Sequence, residues 1–221
     1  MSHSADERCP RFRRWTYTAV ADEVSLVLPD GCIDILVSYC DETGYNLIDV
    51  TDWDFSPRQV RLVAGASLIG YRLQPGATIR LSDLADLKIE HGEISNLDSG
   101  VGDRVRYDQE VSEIVDALGL PDYSVERLAK QQGVSERTLQ RHFRDLDLPT
   151  PVFWRQLGRA RRAVWALPCR VPLAEIALEY GYSDQAHMTR EFVRWFGRTP
   201  AQLRQDSPAI NDLSQPGLGN W

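Results

Sequence analysis

Asp184 and His187 stand three residues apart in the stretch GYSDQAHMTREF, the spacing that sets an acid and an imidazole on one helix face. Such a pair can shuttle a proton when a nucleophile, metal or substrate lies within reach, and no such partner is visible around it. A second constellation, LPDGCIDILV, alternates Asp30, Cys32 and Asp34. Alternate residues share a strand face, so Cys32 and Asp34 point the same way. The simpler reading is a Pro29-Asp30-Gly31 turn feeding a strand, with Arg72 or Arg80 neutralising Asp34 if it is buried. Cys9, Cys32, Cys40 and Cys169 contain no C-x-x-C pair, so reduced thiols in a cytoplasmic protein are expected, with no disulfide framework. No residue is assigned to catalysis or to metal binding, and the roles of Asp30, Cys32 and Asp34 stay open.

The elements that would carry these residues fall into two unlike halves. Residues 1–110 hold 11 Lys/Arg against 19 Asp/Glu, whereas residues 124–204 hold 14 against 8. The whole-chain net charge of −7 therefore conceals a basic helical region, and such asymmetry marks an interaction surface in one half. No apolar run approaches the roughly 20 residues that span a bilayer, so no membrane partner is expected.

Short alternating runs rich in Val, Ile, Leu, Thr and Tyr fill the first part: RWTYTAV, VSLVL, CIDILVSY, YNLIDV, QVRLVAG and SLIGYRL. Turn formers separate them, which predicts a small, mainly antiparallel β domain. After Arg104 the apolar period becomes helical, clearest in TPVFWRQLGRARRAVWAL, where Phe153, Leu157, Ala160, Val164 and Leu167 form one stripe. Thr150-Pro151 is a helix-start pair, and Thr199 and Gln202 have capping-box spacing. The expected architecture is α+β: a β-rich sensor or dimerisation domain over residues 1–103, with residues 1–13 flexible and 90–103 a linker. An all-α domain follows over 104–205, then a flexible tail over 206–221.

The helical half repeats itself. LAKQQGVSERTLQRHFR and IALEYGYSDQAHMTREFV superpose with Ala129 on Ala177, Gly133 on Gly181 and Ser135 on Ser183. One extra residue then enters the second copy, after which Leu139 meets Met188, Arg141 meets Arg190 and Phe143 meets Phe192. A small alanine for close helix crossing, a glycine for the turn and a serine able to cap the next helix make each copy a helix-turn-helix. Two copies joined by one long helix resemble the DNA-binding domain of AraC/XylS-type transcriptional regulators, over about residues 123–204. The front half resembles, more loosely, a short β-rich domain that precedes this module in some members.

The resemblance implies that the outward face of each second helix enters the major groove of double-stranded promoter or operator DNA. Carried over position by position, the base-edge candidates are Arg137, Thr138, Gln140 and Arg141 in the first copy, and Ala186, His187 and Arg190 in the second. Ser135, Arg144, Ser183, Thr189 and Arg194 are the candidates for phosphate contacts. An arginine fork matches guanine O6 and N7 and a glutamine matches adenine N6 and N7, whereas alanine can at most touch a thymine methyl. The resemblance implies no cofactor. It admits a small-molecule effector, RNA polymerase and a second copy of the chain as further partners. Arg159, Arg161 and Arg162 on the connecting helix either add to the positive field or support the fold. Two other functions compete: a DNA-repair methyl acceptor with a reactive cysteine in the front domain, and a regulator that acts through protein contacts alone. The first needs a four-cysteine zinc cluster, against which only three cysteines precede the linker, none closely paired.

Overall fold

The computed structural model describes residues 11–39, 46–87 and 94–220. Each of the six alternating runs becomes a strand: β1 (Phe12–Thr18), β2 (Glu23–Val27), β3 (Asp34–Tyr39), β4 (Asn46–Val50), β5 (Arg58–Leu62) and β6 (Ser67–Leu73). A four-stranded sheet runs in the order β1-β6-β3-β4, a separate ribbon pairs β2 with β5, and every pairing is antiparallel.

The strand period decides what each sheet face does. Ile35 and Val37 of β3 lie opposite Tyr71 and Ile69 of β6, and with Leu73, Ile79 and Leu84 they build the β-side core. The register that buries those residues turns Asp34 and Arg72 to the other face as direct cross-strand partners. Arg72 Nη2 meets Asp34 Oδ2 at 3.2 Å, and Trp15 Nε1 donates to Asp34 Oδ1 at 2.9 Å. Of the two arginines expected to serve Asp34, the structure uses Arg72.

Of the segment expected as a linker, residues 90–93 lie outside the described residues and residues 94–103 are helical. Ile94–Arg104 forms α1, which seats Leu97 and Val101 in the β-side core. Its glycines gave it the composition of a loop, yet Gly100 lies so close to Leu87 that a Cβ there would stand 2.5 Å from Leu87 Cδ2. Val105 and Tyr107 also pack on this core. Residues 1–10 of the expected flexible arm lie outside the described residues, but Phe12 and Arg13 belong to β1.

Past α1 the described residues form α2 (Gln109–Leu118), α3 (Val125–Gln131), α4 (Glu136–Asp145), α5 (Pro151–Ala166), α6 (Leu173–Glu179), α7 (Gln185–Phe196) and α8 (Pro200–Arg204), with α5 on the predicted stripe and α3–α4 and α6–α7 on the two repeated segments. At 16 residues α5 is about 24 Å long, and α2, α3, α4, α6 and α7 all pack against it. Its Trp154, Leu157, Ala160 and Val164 are fully buried, each large side chain contributing about 1.5–3 kcal/mol through removal from water. Thr150 makes no side-chain cap, so α5 starts on the fixed φ of Pro151 alone.

The tail expected to be loose is a structural element. Ser207–Leu213 forms α9, capped by the Asp206 side chain, and the chain then runs back between the two halves. Leu213 and Leu218 are buried, with Leu218 lying against Gly31 of the β half and Gly158 of α5. Leu218 N donates to Asp30 O at 2.8 Å. The buried Arg161 of α5 donates to Leu218 O at 3.1 Å and Gln215 O at 2.9 Å, and Arg72 reaches Pro216 O at 3.4 Å. Buried cations need acceptors, and the tail carbonyls supply them. Burial pushes the Asp30 carboxyl above its ordinary range, opposed by the charges of Arg72 and Arg161. Elsewhere between the halves, Trp53 stacks edge-on against Trp154 and Phe55 against Phe153, and Arg80 pairs with Asp147.

Candidate nucleic-acid interface

Each helix-turn-helix is built by the same local rules. In the first, Val134 N donates to Ala129 O at 2.9 Å and Gly133 N to Lys130 O at 3.1 Å. In the second, Tyr182 N donates to Ala177 O at 2.8 Å and Gly181 N to Leu178 O at 3.1 Å. These paired bonds are the helix-ending motif that requires a left-handed residue, and Gly133 and Gly181 provide it with φ of 67° and 73°. Buried Ala129 and Ala177 face the crossings.

The caps of the two second helices explain the extra residue in copy two. Ser135 caps α4, its Oγ accepting from Thr138 N at 3.1 Å. In α7 the cap is Asp184, whose Oδ1 accepts from His187 N at 2.6 Å, and not the serine one position earlier. Asp184 is therefore the residue that opens the helix. Counted from the caps, Ser135 matches Asp184, Thr138 matches His187 and Arg141 matches Arg190. The hydrogen bond from His187 N holds the Asp184 carboxyl below the usual carboxylate range. Its capping contribution is thus complete above that range and is lost as pH falls through the lowered value. The protection factors of the first amides of α7, with exchange rates corrected for their intrinsic pH dependence, should fall on acidification below about pH 4, and Asp184→Asn, a neutral cap, should remove that dependence.

The buried stripes are Leu139 and Phe143 on α4, and Met188, Phe192, Trp195 and Phe196 on α7. Opposite them, Arg137, Gln140, Arg141 and Arg144 of α4 are exposed, with Thr138 half-buried and its hydroxyl 3.0 Å from that of Ser135. On α7, Ala186 and Arg190 are exposed and His187 and Thr189 are half-buried. His187 folds back on the turn: Nδ1 lies 3.1 Å from Ser183 Oγ and its ring meets Tyr182 edge-on. Thr189 Oγ1 donates to Gln185 O at 2.9 Å, and Arg194 donates to Gln156 of α5 at 3.1 Å while lying over the Trp195 ring. The first copy thus presents four long polar side chains to solvent. The second presents Arg190 beside the short Ala186.

Of the connecting-helix arginines, Arg159 and Arg161 are buried and support the fold and Arg162 is half-buried, and Arg155, which the periodicity did not single out, donates to Tyr123 O at 3.1 Å. Cys32 is buried, with its thiol pushed well up by burial, the reverse of an activated thiolate. Cys169 is exposed, and Cys9 and Cys40 lie outside the described residues.

Two helix-turn-helix units on a shared helix define a double helix-turn-helix domain. A family model described as helix-turn-helix domain matches residues 128–206. Probable transcription factor PqrA of Proteus vulgaris is 34% identical over 83 residues, covering 37% of this chain and 68% of PqrA. The HTH-type transcriptional regulator VirS of Mycobacterium tuberculosis is 36% identical over 81 residues, covering 37% of this chain and 24% of VirS. The match thus spans about a quarter of the length of VirS. Among solved structures, a transcriptional regulator from Chromobacterium violaceum with an AraC-type DNA-binding domain is 25% identical, covering 49% of this chain and 95% of that one with a TM-score of 0.40. The chain belongs to the AraC-type family of helix-turn-helix transcriptional regulators.

Proposed function

We propose that the chain is a sequence-specific DNA-binding transcriptional regulator that sets α4 and α7 into successive major-groove segments of one duplex. The observation that carries this reading is the matched pair of capped helices on opposite sides of a turn-for-turn repeat, each with an exposed arginine at the same distance from its cap. Arg137, Thr138, Gln140 and Arg141 read base edges from α4, and Ala186, His187 and Arg190 from α7. Because His187 is drawn toward Ser183 and Ala186 is short, α7 reads fewer bases than α4. Ser135, Arg144, Ser183, Thr189 and Arg194 meet phosphates and hold the register without reading sequence. Two heads about one helical turn apart, roughly 34 Å, bend the duplex where straight B-DNA cannot reach both.

The β half offers a place for regulation. Between the β2–β5 ribbon and the main sheet lies a groove of about 530 Å³ lined by apolar Trp15, Leu26, Leu36 and Leu68 together with charged Asp34 and Arg72. A small amphipathic effector seated there would touch the same arginine that holds Asp30, Asp34 and the tail. RNA polymerase and a second copy of the chain are further partners of a regulator of this kind, and the cytoplasm is its compartment. The reactive-cysteine alternative draws no support from Cys32, whose thiol is buried and unactivated.

Titration of duplex DNA at several salt concentrations tests the reading. Log affinity should fall linearly with log salt, with a slope near −0.9 for each phosphate neutralised. A chain that acts through protein contacts alone would show no salt-dependent duplex binding.

A further inference from the structure

α5 carries two arginines one turn apart, and each reaches a backbone carbonyl of a different helix-turn-helix. Arg155 Nε donates to Tyr123 O at 3.1 Å, immediately before the Ser124 cap of α3. Arg159 Nη1 donates to Gly181 O at 3.0 Å, at the turn between α6 and α7. Its Nη2 pairs at 2.8 Å with Glu191 on the inner face of α7, the two side chains only 10% and 11% exposed. The same guanidinium lies over the Tyr182 ring at 4.2 Å, and Tyr182 abuts His187. Neither arginine faces the outward surfaces of α4 or α7.

We propose that Arg159, supported by Arg155, is a positioning residue that fixes the spacing and rotation of the second reading helix relative to the first, and so sets which half-site spacing the protein accepts. The inference rests on the two-headed DNA reading proposed above. Stability alone does not account for the pair, because a buried ion pair is often no more stabilising than apolar side chains of the same volume. Geometry does. Apolar packing between helices permits sliding, whereas a planar guanidinium fork has fixed donor directions. Here one fork grips a turn carbonyl, a carboxylate about two turns along α7, and a ring at the turn. Three such points set both the height of α7 along α5 and its rotation about its own axis. On DNA one base pair corresponds to about 3.4 Å and a tenth of a turn, so a slip of that size carries Arg190 off its base.

The test uses the full chain and a duplex selected by it from a random pool, together with versions having one base pair inserted or removed between the half-sites. The parent should lose about ten- to hundredfold in affinity on either change. The double variant Arg159→Met/Glu191→Met leaves no buried charge unpaired, and its folding is checked by circular dichroism and thermal melting. It should bind all three duplexes within about threefold of one another, all more weakly than the parent binds its selected site. Arg159→Lys keeps the charge opposite Glu191 but loses the fork, and should likewise narrow the parental discrimination. Parental spacing discrimination retained in either variant overturns the positioning role of Arg159. A parent that is itself indifferent to spacing overturns the two-headed reading instead.

Discussion

Arg141→Ala is expected to weaken binding to the selected site by about 1–3 kcal/mol, roughly five- to more than a hundredfold, and Arg190→Ala by a similar amount. Both side chains are exposed and lie at the same distance from a helix cap, facing away from the buried stripe of their own helix. Neither supports the core, so the loss should appear in DNA affinity while the thermal midpoint stays close to that of the parent. The loss should also be sequence-selective: the variant no longer distinguishes a guanine at the base its arginine reads, while its non-specific affinity changes little. Arg144→Ala gives the contrast, weakening all sequences about equally and reducing the salt slope by roughly one phosphate. Electrophoretic or fluorescence titration against matched and single-mismatch duplexes measures both effects. Equal affinity of the parent and both base-reading variants would remove α4 and α7 from the interface.

The second large effect is expected far from DNA. Leu218→Ala should cost about 2–5 kcal/mol in chemical denaturation, in the range of a fully buried leucine elsewhere. Leu218 has no exposed surface and fills the space between Gly31 and Gly158. Its backbone is held from both sides, by the Asp30 carbonyl and by Arg161. Ending the chain after Asp206 should cost more, because the buried Leu213 and Leu218 are then both lost from the core and Arg161 and the Asp30 carbonyl lose their tail partners. By comparison Val20, 94% exposed, should tolerate alanine within about 0.5 kcal/mol. A tail that contributed nothing would leave the denaturation midpoint of both tail variants unchanged.

These expectations rest on features of unequal visibility in the sequence. The six strands were legible because alternation is forced wherever one sheet face is buried and the other is not, and the same alternation made Arg72 the partner of Asp34. The repeated helices were legible from Ala129, Gly133 and their counterparts, since only small residues fit the crossing and only a left-handed residue fits the turn. α1 and α9 were not legible. Gly100 and Gly102 gave α1 the composition of a linker, although Leu97 and Val101 sit one turn apart and dock on the sheet, so packing outweighed propensity. The tail has too few apolar residues for any period, and what orders it is a buried arginine in need of acceptors, a requirement that belongs to α5. Within the candidate interface, composition could not tell which of the adjacent Ser183 and Asp184 caps α7, because both can accept the same amide. The tethering roles of Arg155 and Arg159 left no local trace either. An arginine on an amphipathic helix reads as a solvated charge until the carbonyl it reaches, 32 or 22 residues away, is placed beside it.

Selection of bound duplexes from a random pool by the full chain tests the central claim most directly. Two conserved blocks are expected, their centres about ten base pairs apart, with the block read by α4 carrying more sequence information than the one read by α7. One uninterrupted short block, or no enrichment over the starting pool, would contradict the two-headed reading.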